Sequence, residues 1–310
     1  IIEATSNIKE EWLYQKKLKK YAQEVALFTR LNREFNLGAS FSEAKDIESK
    51  TRENALFLPV VAQFNGLISQ EILAWFDKLT IISNLRSEEF KHFSFEMLED
   101  EEFREKIVKF IKSADTGITD IKKKKIDFAS LNIESDELKE LPDFLLEKLK
   151  EEGLSTVETM HMQYDNNNMF KQLKSFSLNF ESDGTQKLLA LSAPLIDALL
   201  NGEIIVVDEL DNSLHTDLVQ AIVKLFNCPK SNPNNAQLIF STHDTNLLNQ
   251  ELFRRDQIWF VQKDIYGSSE LYSLIEYGEG KIREDLALEK NYLNGKFGGK
   301  PYISSSLMEL

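Results

Sequence analysis

The chain has 310 residues, of which 42% are hydrophobic, so it is long enough to bury a large core. Its net charge of −14 argues against a protein that coats nucleic acid by itself, because affinity for a phosphate backbone requires a basic surface. A single cysteine, Cys228, excludes an internal disulfide framework. With neither a signal peptide nor an apolar run near the roughly 20 residues that span a bilayer, we expect a cytoplasmic protein without membrane contact.

Residues 1–86 are predicted to form a small antiparallel β-element followed by helices. Apolar residues alternate with polar ones in the first part and recur at helical spacing in the second. The predicted elements are strands at 11–14 and 25–28, helices at 52–64 and 70–79, and a strand at 80–83.

Residues 87–155 are highly charged and are predicted to form a mostly helical insertion lobe. Apolar residues at three- and four-residue spacing predict a helix at 102–112, and Pro142 in a first turn predicts another at 141–150. The lysine run 122–125 is typical of a solvated edge or loop, although it is also the best local candidate for a basic patch.

The remaining segment, 156–310, is predicted to be an α/β lobe. Strands are predicted at 156–163 and 176–180, and the segment Ser182-Asp-Gly-Thr-Gln186 opens a helix. Ser182 or Asp183 can cap this helix, and Gly184 permits close backbone approach. Because a helix N-terminus presents unpaired N–H groups, this segment suits a phosphate, although an ordinary capped helix explains it equally well.

Four β-branched residues, Ile204–Val207, form an unbroken apolar run that predicts a strand buried in a parallel sheet. Asp208 and Glu209 follow at its carboxyl end, where open α/β sheets bind ligands. This is the Walker B pattern. We assign Asp208 to Mg²⁺, directly or through water, and Glu209 to the attacking water.

A second strand is predicted at 237–240, after an amphipathic helix that begins near Leu214. The strand-helix-strand unit implies a right-handed parallel crossover. His243 then falls beside Asp208 and Glu209, where its imidazole can contact a terminal phosphate or the attacking water.

Together, Ser182–Gln186, Ile204–Glu209 and Ser241-Thr-His243 resemble the signature motif, Walker B motif and switch histidine of ABC-type ATPase heads. With Ser49–Leu58, they more closely resemble the AAA-family, ABC-like ATPases of bacterial anti-phage defence, which include the RloA-type and abortive-infection proteins. The resemblance covers most of the chain. It implies the α/β fold of a P-loop NTPase head, with a mixed or parallel sheet, a small antiparallel β-element and a helical lobe.

The resemblance also implies a function. ATP and Mg²⁺ are the expected cofactors, with Asp208 at the metal, Glu209 and His243 catalytic, and Ser182, Asp183, Gly184, Thr185 and Gln186 at the nucleotide. Two heads are expected to dimerise around nucleotide, with Ser182 acting in trans and far from its own Walker B end. The expected partner is a neighbouring effector, a nuclease or an RloB-type protein, contacted by the lobe 87–155, with nucleic acid bound through that effector.

The family's Walker A phosphate loop is missing from these 310 residues, because the glycine-rich segment 294–301 lacks both its spacing and a following helix. Since the first residue is Ile1, we expect the natural N-terminus to carry this loop. Three alternatives stay open: a non-hydrolysing nucleotide-sensing scaffold, an SMC-like DNA-repair ATPase, and a metal-dependent nuclease. The nuclease would use the carboxylates and histidines at 208–215 and 243–244.

Overall fold

The computed structural model describes residues 7–83, 87–126, 154–276 and 287–300. They divide into two compact units, one up to residue 79 and one from residue 80. The division into 1–86, 87–155 and 156–310 stays a prediction.

The first unit contains an antiparallel sheet and two helices, as predicted. Its elements are β1 (Glu10–Lys16), β2 (Glu24–Leu31), β3 (Glu34–Leu37), α1 (Phe57–Gln63) and α2 (Leu67–Phe76). The strand order is β1-β2-β3. The core is aromatic: the ring of Phe28 lies 5.7 Å from that of Phe41 and 5.0 Å, edge to face, from that of Phe57.

Buried polar contacts close the N-termini of both helices in this unit. The carboxylate of Glu11 accepts hydrogen bonds from the backbone N–H of Phe57 at 2.8 and 2.9 Å. It also pairs with the fully buried guanidinium of Arg30 at 3.5 Å. Glu43 accepts from the N–H groups of Ile68 and Ser69, each at 2.9 Å. The unpaired donors of a helix start are therefore satisfied here by carboxylates distant in sequence.

The second unit is a mixed α/β structure with three sheets. Its elements are β4 (Leu79–Ile82), α3 (Ser87–Met97), α4 (Glu101–Lys112), β5 (Ile118–Ile126), β6 (Leu154–Tyr164), β7 (Phe170–Ser177), α5 (Asp183–Asn201), β8 (Ile204–Val207), α6 (Thr216–Asn227), β9 (Gln237–Phe240), β10 (Trp259–Lys263), β11 (Ser269–Ser273) and α7 (Leu288–Leu293). The strand orders are β4-β8-β9, β5-β6-β7 and β10-β11.

The strand predicted at 204–207 and its parallel pairing with the strand at 237–240 are confirmed. β8 coincides with the apolar run at 204–207, and it pairs in parallel with β9 so that Val207 lies opposite Phe240. Ile205 and Val207 are fully buried, and α6 forms the connection between the two strands. The long helix α5 ends at Gly202, immediately before β8.

The described part of the segment 87–155 contributes to a core, although we expected so charged a segment to lie outside one. Ile107 and Ile111 of α4 are fully buried in the main core of the unit. The hydroxyl of Ser94 in α3 donates to the Ala190 carbonyl of α5 at 2.9 Å. We judged the segment by its average charge and therefore missed an apolar stripe on α4. The buried residues of this helix, Ile107, Val108 and Ile111, are all apolar.

A strand also occupies part of this segment, where more helix was expected. β5 pairs antiparallel with β6 and contains the lysine run. Because β5 is the first strand in the order β5-β6-β7, the run lies on a sheet edge, which is one of its two predicted settings, and not in a loop. Lys123 pairs with Glu99 at 2.6 Å and Lys124 with Glu158 at 3.0 Å. The strand predicted at 176–180 begins earlier, at Phe170, and gives way to a short 3-10 helix at 178. The helix predicted at 141–150 lies outside the described residues.

In the last part of the chain, β10 and β11 are joined as an antiparallel hairpin. One face of this hairpin packs on a small core around Phe260. Within the described ranges, no helix is both long and apolar enough to cross a bilayer.

Candidate functional site

The candidate site lies at the carboxyl edge of the central sheet, which we define as the residues that directly follow β8 and β9. Because Val207 is opposite Phe240 in a parallel pair, Asp208 emerges beside Ser241. The backbone N–H of Asp208 donates to the Ile82 carbonyl at the end of β4, at 2.8 Å. The three strands therefore fix the position of the acidic pair.

The hydroxyl of Ser241 connects the two strand ends. It donates to Asp208 Oδ1 at 2.6 Å and accepts the backbone N–H of Glu209 at 2.8 Å. One hydroxyl thus orients the first carboxylate and anchors the backbone of the second. We assigned no role to Ser241 from the sequence, although the parallel crossover predicts that a residue directly after β9 should lie beside Asp208.

Glu209 has an unusual backbone conformation, with φ at +51°. A residue with a Cβ in this left-handed region costs on the order of 1–3 kcal/mol, which the surrounding contacts must offset. The Glu209 carbonyl accepts from Asn212 N–H at 3.1 Å and from the Lys187 ammonium at 2.8 Å. These two contacts to the carbonyl help to offset the cost of the left-handed conformation.

His243 lies beside Glu209, as predicted from the crossover. Its Nε2 is 3.7 Å from Glu209 Oε1, and its imidazole is 86% exposed. Its backbone N–H donates to the Asp211 carboxylate at 3.3 Å. The backbone of His243 is therefore held by the turn after β8, while its ring stays accessible to a ligand.

The segment Ser182–Gln186 forms the predicted start of α5. The Ser182 hydroxyl accepts the Thr185 N–H at 3.2 Å, and the Gln186 amide donates to the Glu181 carbonyl at 3.0 Å. Ser182 and Asp183 are exposed. The Asp183 carboxylate interacts favourably with the positive end of the helix dipole but repels other anions. Any affinity for phosphate at this end of the helix therefore comes from the neutral Ser182 hydroxyl and the backbone N–H groups.

The start of α5 lies against the turn after β8 of its own chain, so our expectation that the two are far apart is wrong. A Cβ on Gly184 would meet the Ser213 carbonyl at 2.5 Å, so only glycine permits this approach. The reason is topological. Because α5 leads into β8 through Gly202, the chain reverses direction there, and the start of the helix returns to the carboxyl end of the strand.

Glu181, the residue before the N-cap Ser182, is held by contacts to β6. The Glu181 carboxylate accepts the Thr159 hydroxyl at 2.5 Å and lies 2.7 Å from His161 Nε2. We gave His161 no role from the sequence. The contact pairs it with a carboxylate adjacent to Ser182, and only the antiparallel placement of β6 brings the two together.

The residues proposed for a metal-dependent nuclease do not form a group that could hold a metal ion by itself, as far as the structure describes them. Among the described residues, no group of three or more His, Cys, Asp or Glu side chains is placed to hold a metal ion. Asp244 caps a 3-10 helix and accepts from Thr216 at 2.5 Å. Burial acts to raise the pKa of Asp244, but hydrogen bonds from Thr216 and Asn246 outweigh it and lower the pKa. His215 caps α6.

A nucleotide-bound Mg²⁺ makes smaller demands on the protein. This ion keeps several waters and is bound through one or two carboxylates together with substrate phosphates. Ser241 engages Asp208 Oδ1, and within the described part of the chain Asp208 Oδ2 has no hydrogen-bond partner. The donor set at the carboxyl edge therefore fits Mg²⁺ held jointly with phosphate and does not fit a metal held by the protein alone.

Two comparisons bear on this arrangement. Residues 7–249 match the family model described as "AAA domain, putative AbiEii toxin, Type IV TA system". The match covers more than half of the chain and includes the start of α5, the end of β8 and His243. No curated protein matches the chain.

Proposed function

Because the chain belongs to this AAA-domain family, we propose that it is the ABC-type head of an ATPase that binds and hydrolyses ATP. The observation that carries the proposal is the convergence of Asp208, Glu209 and His243 at the carboxyl ends of adjacent parallel strands. Neutral-pH hydrolysis of a phosphoanhydride needs this combination of a metal-binding carboxylate, a base and a phosphate contact.

Each residue has a distinct proposed role. Asp208, oriented by Ser241, holds Mg²⁺, and the ion neutralises phosphate charge when it is bound. Glu209 orients and deprotonates the attacking water. His243 donates a hydrogen bond to the terminal phosphate or to that water, and the exposure of its ring supports this role. The 310 residues do not include a Walker A loop, whose backbone N–H groups and lysine hold the β- and γ-phosphates.

We assign Ser182–Gln186 to the nucleotide bound by a second head. Gly184 faces the turn after β8 of its own chain, whereas Ser182 and Asp183 are exposed. The exposed side of the first turn is thus available to a γ-phosphate presented by a partner. Nucleotide contacts that exist only in the dimer would stabilise it by mass action.

We further propose that the head regulates a neighbouring effector in bacterial anti-phage defence. The family description, which names a putative toxin and a toxin–antitoxin system, supports this context. In this scheme, ATP-driven association of two heads sets the state of a nuclease or RNA-targeting partner.

Glu209→Gln tests the ATPase proposal in the protein expressed from its native open reading frame. We expect nucleotide binding to persist and turnover to fall by about 10² or more, the scale of losing a general base. Glu203→Gln, at the opposite end of β8, is the matched control and should leave turnover unchanged. Binding without turnover by the wild-type protein would instead support a nucleotide-sensing scaffold.

Mixed dimers test the composite site. A Ser182→Arg chain and a Glu209→Gln chain, each inactive alone, should regain activity when mixed, because one unmutated site then forms between the two chains. Proven heterodimers that stay as inactive as their parents would contradict the arrangement in trans.

A further inference from the structure

A lysine of the signature helix holds the backbone of the catalytic acid. Lys187 lies one turn inside α5, and its Nζ donates to the Glu209 carbonyl at 2.8 Å. The side chain is half-buried. Burial lowers the pKa of Lys187, while the charges of Asp211 and Glu209 act in the opposite direction. A cation is unfavourable in the first turns of a helix, so this lysine requires a compensating contact, and Glu209 provides it.

Two side chains from different elements fix the Glu209 peptide groups. Ser241, after β9, accepts the Glu209 N–H at 2.8 Å, and Lys187, from α5, donates to the carbonyl. Between these anchors the residue has its left-handed φ of +51°. The direction of the Glu209 Cα–Cβ bond therefore depends on both anchors, and so does the distance from its carboxylate to His243.

We propose that Lys187 is a positioning residue that couples the signature helix to the hydrolytic carboxylate. This inference rests on the proposed function, because it assumes that Glu209 acts on the attacking water. The first turn of α5 contacts nucleotide, and Lys187 lies at the end of that turn. A displacement of the helix start is thus transmitted through one hydrogen bond to the backbone that aims Glu209.

Lys187→Met tests this role, because methionine keeps an unbranched apolar stem but removes the donor. We expect kcat to fall about tenfold or more, since a small misplacement of a catalytic group has large effects on rate. The affinity for ATP should change by less than about threefold, because the nucleotide contacts of Ser182–Gln186 are intact. Lys187→Arg retains a donor and should recover most of the activity.

Two controls separate positioning from a structural role. Lys224→Met removes an exposed lysine of α6 and should leave kcat unchanged. In a Glu209→Gln background, Lys187→Met should reduce turnover by less than about threefold, because the two residues act as a unit. If Lys187→Met fails to fold, Lys187→Gln takes its place in both backgrounds.

The failures of the two proposals look different. Two results overturn the positioning role while the ATPase proposal stands. One is an unchanged kcat in Lys187→Met. The other is a fall in kcat caused by Lys187→Met that is as large in the Glu209→Gln background as in the wild type. A wild-type protein without ATP turnover, or a fully active Glu209→Gln variant, overturns the ATPase proposal and this inference with it.

Discussion

Acidic side chains serve opposite purposes in the two compact units. In the unit up to residue 79, Glu11 and Glu43 are directed at helix starts, and N–H groups of the chain itself occupy their oxygens. At the carboxyl edge, Asp208 and Glu209 follow a strand instead, and the hydroxyl of Ser241 contacts the carboxylate of the first and the backbone N–H of the second. A carboxylate saturated by backbone donors stabilises the fold, whereas one that follows a parallel strand lies at the edge of the sheet where ligands bind.

The helix starts show the same contrast. A Cβ on Gly66, the residue before α2, would meet Val61 Cγ1 at 2.6 Å and the Glu43 carboxylate at 2.8 Å, so a valine and a remote acid fill the space of a capping side chain. By comparison, α5 begins on the neutral hydroxyl of Ser182. At the first kind of helix start, a carboxylate already occupies the N–H groups and would repel a second anion. At α5 the capping group is neutral, and only the exposed carboxylate of Asp183 opposes an anion. We therefore expect substitutions of the acids at the first kind of helix start to change stability, and substitutions at the carboxyl edge to change ATP turnover.

The largest expected effect is that of Glu11→Gln. It removes the negative partner of Arg30, whose side chain is only 1% exposed, and breaking a buried pair in this way costs about 3–5 kcal/mol. We expect a large fall in the free energy of unfolding, measured with denaturant, and unchanged ATP turnover per folded molecule. If Glu11→Gln instead lowered ATP turnover and left stability unchanged, Glu11 would not have the purely structural role proposed for it.

His243→Ala should show the reverse. Loss of a hydrogen bond to a charged group is worth about 1.5–3 kcal/mol, which corresponds to a tenfold to hundredfold fall in turnover. The exposed ring makes little contact with the core, so the melting temperature should stay within about 2 °C of that of the wild type. A clear drop in melting temperature without a loss of turnover would mean that His243 is structural.

Glu43→Gln should destabilise the protein by about 1.5 kcal/mol in a pH-dependent manner, because the amide keeps only one acceptor oxygen. Burial acts to raise the pKa of Glu43, but hydrogen bonds from Ile68 and Ser69 outweigh it and lower the pKa below its ordinary value of 4.5. A lowered folded-state pKa gives stability that is full above the unfolded value and is lost as the pH falls through the folded one.

Denaturant unfolding of wild type and Glu43→Gln at pH 7 and at pH 3 measures this effect. The difference in unfolding free energy between the two proteins should shrink at the lower pH. An equal difference at both pH values would show that the Glu43 charge does not stabilise the start of α2.

Ser182→Ala should destabilise the protein by about 1 kcal/mol through the loss of a capping hydroxyl, a smaller energy than that expected for Glu43→Gln. Ser182→Asp is the informative comparison, because aspartate also caps a helix but adds the negative charge found at α1 and α2. It should restore stability while it weakens ATP-driven dimerisation, measured by sedimentation. Normal dimerisation of Ser182→Asp would contradict a phosphate at this helix start.

The sequence by itself determined the elements whose signals are local. The apolar run of β8, the capped start of α5 and the amphipathic spacing of α6 predicted these elements with nearly the observed bounds. The parallel crossover then predicted that His243 lies beside Glu209, because the carboxyl ends of neighbouring parallel strands meet at one edge. Local pattern and connectivity were sufficient there.

Only the tertiary structure decided which distant groups meet. The buried face of α4 was hidden in a charged segment, and the lysine run became part of a strand because β6 pairs with it. The contact from Lys187 to the Glu209 carbonyl and the double role of Ser241 depend on strand register, helix direction and side-chain reach. Strand register and helix direction result from packing between residues far apart in the chain, so a short stretch of sequence does not predict them.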